Sequence, residues 1–144
     1  MESTMQKPVL ARDSAMPKAI PILFWTFTAL FCLEMSFTAY FELLPQGALA
    51  FARLGFANSA FRYELSLAKL AGVVVLLVPM IPARLKEWAY VGFAINLVSA
   101  MIAHAAIADR RLAFVPSTLT AVLWAVSYFC WRRLRAAQTA AERI

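Results

Sequence analysis

The chain predicts an all-α fold: an integral membrane four-helix bundle, antiparallel and up-down, with a short interfacial helix between helices one and two. Two observations carry this. Four runs of roughly twenty apolar residues, Ala19–Phe41, Ala60–Ile81, Glu87–Ile107 and Leu112–Trp131, are each long enough to cross a hydrocarbon core of about 30 Å at 1.5 Å rise per residue. The composition agrees, with 62% hydrophobic and only 15% charged residues in 144.

Residues 1–18 are polar, contain Pro8 and Pro17 and show no periodicity, which reads as a flexible tail. The first run is longer than a signal-peptide core and lacks a clean small-x-small cleavage site, so it reads as a transmembrane helix. The link Glu42–Ser59 carries only Glu42 and Arg53 as charges among Leu49, Phe51, Leu54 and Phe56. An interfacial helix, or a lid over the bundle mouth, is the expected form. Pro79 and Pro82 bracket the end of the second run, and the short link Pro82–Lys86 folds runs two and three into an antiparallel hairpin. Gly92, Asn96, Ser99, Ala103 and Ala106 form a small-residue seam on the third run, expected to let a neighbouring helix approach closely. Ser117, Thr120, Trp124 and Ser127 mark a comparable face on the fourth, behind Pro116 in its first turn. Residues 132–144 form a basic tail opened by Arg132, Arg133 and Arg135. Lys7, Arg12, Lys18, Arg84, Lys86, Arg132, Arg133, Arg135 and Arg143 outnumber Arg53, Arg62, Arg110 and Arg111, which predicts both termini on the cytoplasmic side.

Several function classes drop out. The net charge of +6 flanks apolar runs and forms no stripe with stacking aromatics, so nucleic acid is not expected. One histidine with scattered carboxylates lacks the ligand set of a metal site. Cys32 and Cys130 are expected at opposite depths, roughly 20 Å or more apart, too far for a disulfide. Nothing enforces a catalytic arrangement of Ser99, His104 and Asp109.

The ionisable groups inside the runs are more informative, because each costs about 2.5–3.5 kcal/mol in a membrane unless paired or hydrated. Glu34, Lys69 and His104, with Glu64 and Tyr40, gather towards the outer half, and these together with Asn96 are the pocket candidates. Arg62, Ser66, Lys69 and Gly72 share one face of the second helix, while Glu64 turns away. A Glu34–Lys69 pair facing the bundle interior, with His104 above it, is expected. It serves either as a structural ion pair or as part of an outward-facing pocket for a lipophilic ligand, walled by Phe27, Phe31, Trp88 or Trp124.

The segments Ala68-Lys69-Leu70-Ala71-Gly72 and Leu85-Lys86-Glu87-Trp88-Ala89-Tyr90-Val91-Gly92-Phe93, then His104 and Asp109, resemble the DoxX-like family of small bacterial membrane proteins. Ala39-Tyr40-Phe41-Glu42 is compatible, and the likeness covers residues 20–131. Ala71 and Ala108 depart from the common pattern, where Leu and Gly are expected. The resemblance implies an inner-membrane protein acting as an accessory or redox-associated component, with a membrane or redox protein as partner; the small-residue seams on helices three and four, more than one bundle needs, predict self-association into a homo-oligomer. No cofactor is predicted, although a quinone or other lipophile is compatible. The alternative is a membrane enzyme, a quinone-linked oxidoreductase or isomerase, in which Glu34 and His104 move protons and Lys69 holds developing negative charge. Four spans without an internal repeat are few for a transporter.

Overall fold

The computed structural model describes residues 19–143. Among them there is no strand. The helices are α1 (Ala19–Leu43), α2 (Pro45–Arg53), α3 (Ser59–Leu77), α4 (Ala83–Ala106) and α5 (Phe114–Ala141), with a 3₁₀ turn at Arg111–Ala113 before α5. Three stretches, Ala19–Leu43, Ala83–Ala106 and Arg111–Ala141, are long and apolar enough to cross a membrane. The predicted four spans thus become three on length and composition. α3 falls outside because its 19 residues hold Arg62, Glu64 and Lys69. The tail predicted for residues 1–18 lies outside the described residues.

Helix boundaries follow backbone chemistry more closely than polarity. α3 stops at Leu77, four residues before the apolar run ends, because Val78 precedes Pro79 and is driven to an extended ψ of 115°. α4 starts at Ala83, directly after Pro82, so the charged residues expected in a link lie on its first turns. One of them, Lys86, is buried and donates to the Leu76 carbonyl at 3.1 Å. That carbonyl lies in the last turn of α3 and has lost its helical partner. α5 runs ten residues past Trp131, through a stretch rich in Arg and Ala that contains no helix breaker.

α1 is the hub and packs along both α3 and α5, while α4 meets α3 and α5. The contacts fix direction. The end of α1 meets the start of α3 through Glu42 and Arg62, and Thr28 of α1 meets Ser127 of α5 at 2.7 Å. Phe31 is fully buried and meets the Phe93 ring edge-on, centroids 4.9 Å apart; a Cβ at Gly72 would strike that same ring. The outer surface is strongly apolar, with Ile22, Leu33, Phe37, Leu67, Ile95, Ile102 and Leu119 exposed. Cys32 and Cys130 are free and buried. The Thr28–Ser127 register places them about 10 Å apart along the axis, closer than expected from depth, since each lies only three or four residues from that pair.

Thr28, Ser127 and Tyr90 form a buried chain of hydroxyls, with Tyr90 Oη 2.7 Å from Ser127 Oγ. The Trp124 indole N–H donates to the Tyr90 carbonyl at 3.0 Å. Ser127 is the shared partner, so Ser127→Ala leaves two buried hydroxyls short of a bond. The expected loss is about 2 kcal/mol of unfolding free energy, read from a denaturant titration in detergent.

Candidate functional site

The site begins where α1 ends. α1 continues to Leu43, so Glu42 is helical, buried, and turned towards α3. On α3, Arg62, Ser66 and Lys69 recur at steps of four and three and present one face to it. Asn58 starts that helix by accepting a bond from the Ala60 N–H at 2.9 Å. The Lys69 ammonium donates to Glu42 Oε1, and Ser66 Oγ lies 2.9 Å from Glu42 Oε2. Arg62 donates to the Glu42 main-chain carbonyl, one of the orphaned acceptors at the end of α1. Both pair members are only 8% exposed in their side chains.

The expected Glu34–Lys69 pair is therefore replaced by Glu42–Lys69. Glu34 lies eight residues, about two turns, deeper on α1. The long Lys69 arm reaches the end of α1 instead. Glu34 Oε2 is buried and accepts no hydrogen bond among the described residues.

Above these groups lies a cavity of about 610 Å³, bounded by all five helices. Its polar wall includes Glu34, the Glu42–Lys69 pair, Asn96, His104 and Ser117. Its apolar wall includes Phe41, Phe51, Phe56 and Phe61, with Ala50, Phe51 and Leu54 contributed by α2 and the turn after it. The aromatic walls expected from the sequence are elsewhere: Phe31 is in the core, Trp88 is exposed and Trp124 stacks on Tyr128. Glu64 and Tyr40 are exposed and absent from the cavity wall, because α3 turns Glu64 away from the Arg62–Lys69 face and Tyr40 falls on the outer side of α1. Of the six pocket candidates, Glu34, Lys69, His104 and Asn96 meet at one cavity.

Within this chain most of the small-residue seam borders space. Gly92, Asn96, Ser99 and Ala103 line the cavity, and nothing lies within 4 Å of where a Cβ of Gly92 would be. Their small volume leaves space, and no other helix among the described residues packs over Gly92. On α5 the face divides, with Ser117 and Thr120 in the cavity wall and Trp124 and Ser127 in the core.

A charged relay ties α2 to the end of α4. α4 closes with bonds from the Ala108 N–H to the Ala105 carbonyl (3.0 Å) and from the Asp109 N–H to the His104 carbonyl (3.1 Å). This is a Schellman turn, and it brings the Asp109 carboxylate back to His104 Nδ1 at 3.0 Å. Facing a carboxylate, Nδ1 carries the proton and donates. The other Asp109 oxygen accepts from Arg53, the last residue of α2, at 2.8 Å. The turn demands a left-handed residue, and Ala108 adopts φ 49° there. α2 ends in the same kind of turn with Gly55 at φ 90°. Ala108→Gly is expected to stabilise the protein by a few tenths to about 1 kcal/mol, because relief of left-handed strain exceeds the entropy that glycine adds to the unfolded chain. A rise in thermal midpoint checks it.

The His104 hydrogen bond, followed by the Arg110 N–H and Arg53, holds the Asp109 carboxyl below the usual aspartate range. A depressed acid stabilises the closed relay above its ordinary pKa of about 3.9, and the contribution disappears as pH falls through the depressed value. Spin labels on exposed Leu49 and Val115 should therefore keep one separation from neutral pH to about 5 and spread only in stronger acid. Asp109→Asn should spread them at every pH.

Glu42, Arg62 and Ser66 belong to the site although only the Arg62–Ser66–Lys69 face was legible in the sequence. Carrying the first helix two residues further would have found Glu42. Among the described residues no three His, Cys, Asp or Glu cluster so as to hold a metal. The sequence matches the DoxX-like family over residues 26–126. No curated protein and no solved structure matches the chain.

Proposed function

The chain belongs to the DoxX-like family, and from that premise we propose that it is a four-span inner-membrane protein that holds a small lipophilic molecule beneath α2, as an accessory or redox-associated component. α3 serves as the fourth span. Its charges are the objection, and two of the three are answered internally: Arg62 and Lys69 donate to Glu42, so they enter the bundle already bonded. Leu67 and Val74 on α3 are exposed like the apolar faces of the other long helices, which suits contact with lipid. α2 then lies at the outer interface with both termini cytoplasmic, in line with the Lys and Arg distribution.

The observation that carries the binding reading is the cavity: about 610 Å³, mostly apolar, with a few convergent polar groups. Its size and walls suit a quinone or another lipophile of similar volume. The enzyme alternative asks Glu34, Lys69 and His104 to handle protons and charge. Lys69 is held by Glu42 and His104 by Asp109, leaving Glu34 alone of the three without a partner among the described residues, so binding is favoured over chemistry.

Native mass spectrometry of the full chain extracted gently from its own membranes tests this, with lipid extraction of what is released. A stoichiometric lipophile, reduced in Glu34→Gln, supports the reading. A chain carrying only bulk phospholipid overturns it. The same spectra would reveal self-association or a second protein.

A further inference from the structure

Of the charges on the cavity wall, Glu34 alone has no counter-charge among the described residues. Glu42 and Lys69 satisfy one another. Arg62 gives its guanidinium to the Glu42 carbonyl and lies 4.8 Å over the Tyr63 ring. His104 and Arg53 both engage Asp109. What remains is a buried acceptor, Glu34 Oε2, to which no group among the described residues donates. It stands in the wall of a cavity whose other lining near α2 is aromatic and aliphatic. Buried polar atoms are normally bonded, and a buried carboxylate is normally paired with a cation.

We propose that the occupant of this cavity is a lipophilic amine, its protonated nitrogen donating to Glu34 Oε2 and its apolar body lying against Phe41, Phe51 and Phe61. The proposal rests on the binding reading above and narrows it. A head group with acceptors only, such as a quinone carbonyl, leaves Oε2 as it stands. A hydroxyl supplies a donor without the charge. A protonated amine supplies both, and a charge-assisted bond is the stronger one. Lys69 does not repel it, because Glu42 neutralises that ammonium at contact.

The test uses the full chain in phosphatidylcholine nanodiscs and two tritiated probes of matched shape, 6-phenylhexylamine and 6-phenylhexan-1-ol, each corrected for uptake by empty discs. The amine is expected to bind at least about tenfold more tightly than the alcohol. In Glu34→Gln that preference is lost, the amine falling to within about twofold of the alcohol, whose retained binding reports an intact cavity. Equal affinity of the two probes for the unmodified protein overturns the amine assignment and leaves the binding reading in place. So does a preference that persists in Glu34→Gln. If neither probe binds, the cavity reading falls and this one falls with it.

Discussion

Lys69→Met is expected to lower the unfolding free energy by about 3–5 kcal/mol, and adding Glu42→Gln should restore most of it. The single change leaves the Glu42 carboxylate buried, 8% exposed, with Ser66 as its only remaining side-chain donor. The stem of Met refills much of the volume that the lysine arm occupied, so the loss is electrostatic and not a cavity effect. In the double variant the Gln carbonyl can still accept from Ser66, and Arg62 still bonds the main-chain carbonyl, which no side-chain change removes. A double-mutant cycle by denaturant titration in detergent separates this pairing from the one read from depth alone. Glu42 and Lys69 should couple by at least about 2 kcal/mol, and Glu34 and Lys69 by less than about 0.5. Strong coupling of Glu34 to Lys69 would return the pair to the inner position and remove the unpartnered acid on which ligand selection depends.

The apolar runs were legible because a membrane enforces length and composition, and the three stretches that meet both are α1, α4 and the run into α5. Their ends were not, because hydropathy marks where lipid stops and not where a helix stops. Glu42 was read as the start of a link because it is charged, yet α1 carries it one turn of side-chain reach from α3. The residues of the candidate site sit on five helices, and sequence spacing relates residues only within one of them. The face formed by Arg62, Ser66 and Lys69 was visible at helical spacing. The partner of that face was not, nor was the bond from Arg53 to Asp109 across 56 positions. Small residues were ambiguous for a deeper reason: Gly92, Ser99 and Ala103 suit a close helix crossing and an empty space equally, and only the placement of the neighbours decides. The Ala108 departure from the expected glycine, by contrast, falls at the one position of that turn with positive φ, where glycine has a physical reason to stand.

Gly47→Ala tests whether α2 covers the cavity as a fitted lid. Gly47 is buried at the point where the chain doubles back after Leu44, and a Cβ there would fall well inside contact distance of the Phe41 carbonyl oxygen and the Glu42 Cα. Both are backbone atoms of α1, so no side-chain rotation relieves the clash. α2 must lift, at a cost of about 3 kcal/mol, the top of the range for overpacking. Lifting takes Ala50 and Phe51 off the cavity and pulls Arg53 from Asp109. Amide exchange in Pro45–Arg53 should accelerate, and a bound probe should dissociate at least about tenfold faster, while exchange in the α1–α5 core stays unchanged. Gly55→Ala is the matched control. Its φ of 90° makes alanine strained by about 1–2 kcal/mol, but nothing lies within 4 Å of the new methyl group, so α2 keeps its seat and probe release changes little. If the two variants release the probe at the same rate, the contact of Gly47 with α1 is packing without a gating role. If Gly47→Ala alone opens the cavity, the close approach at that glycine is what holds the site closed on the α2 side.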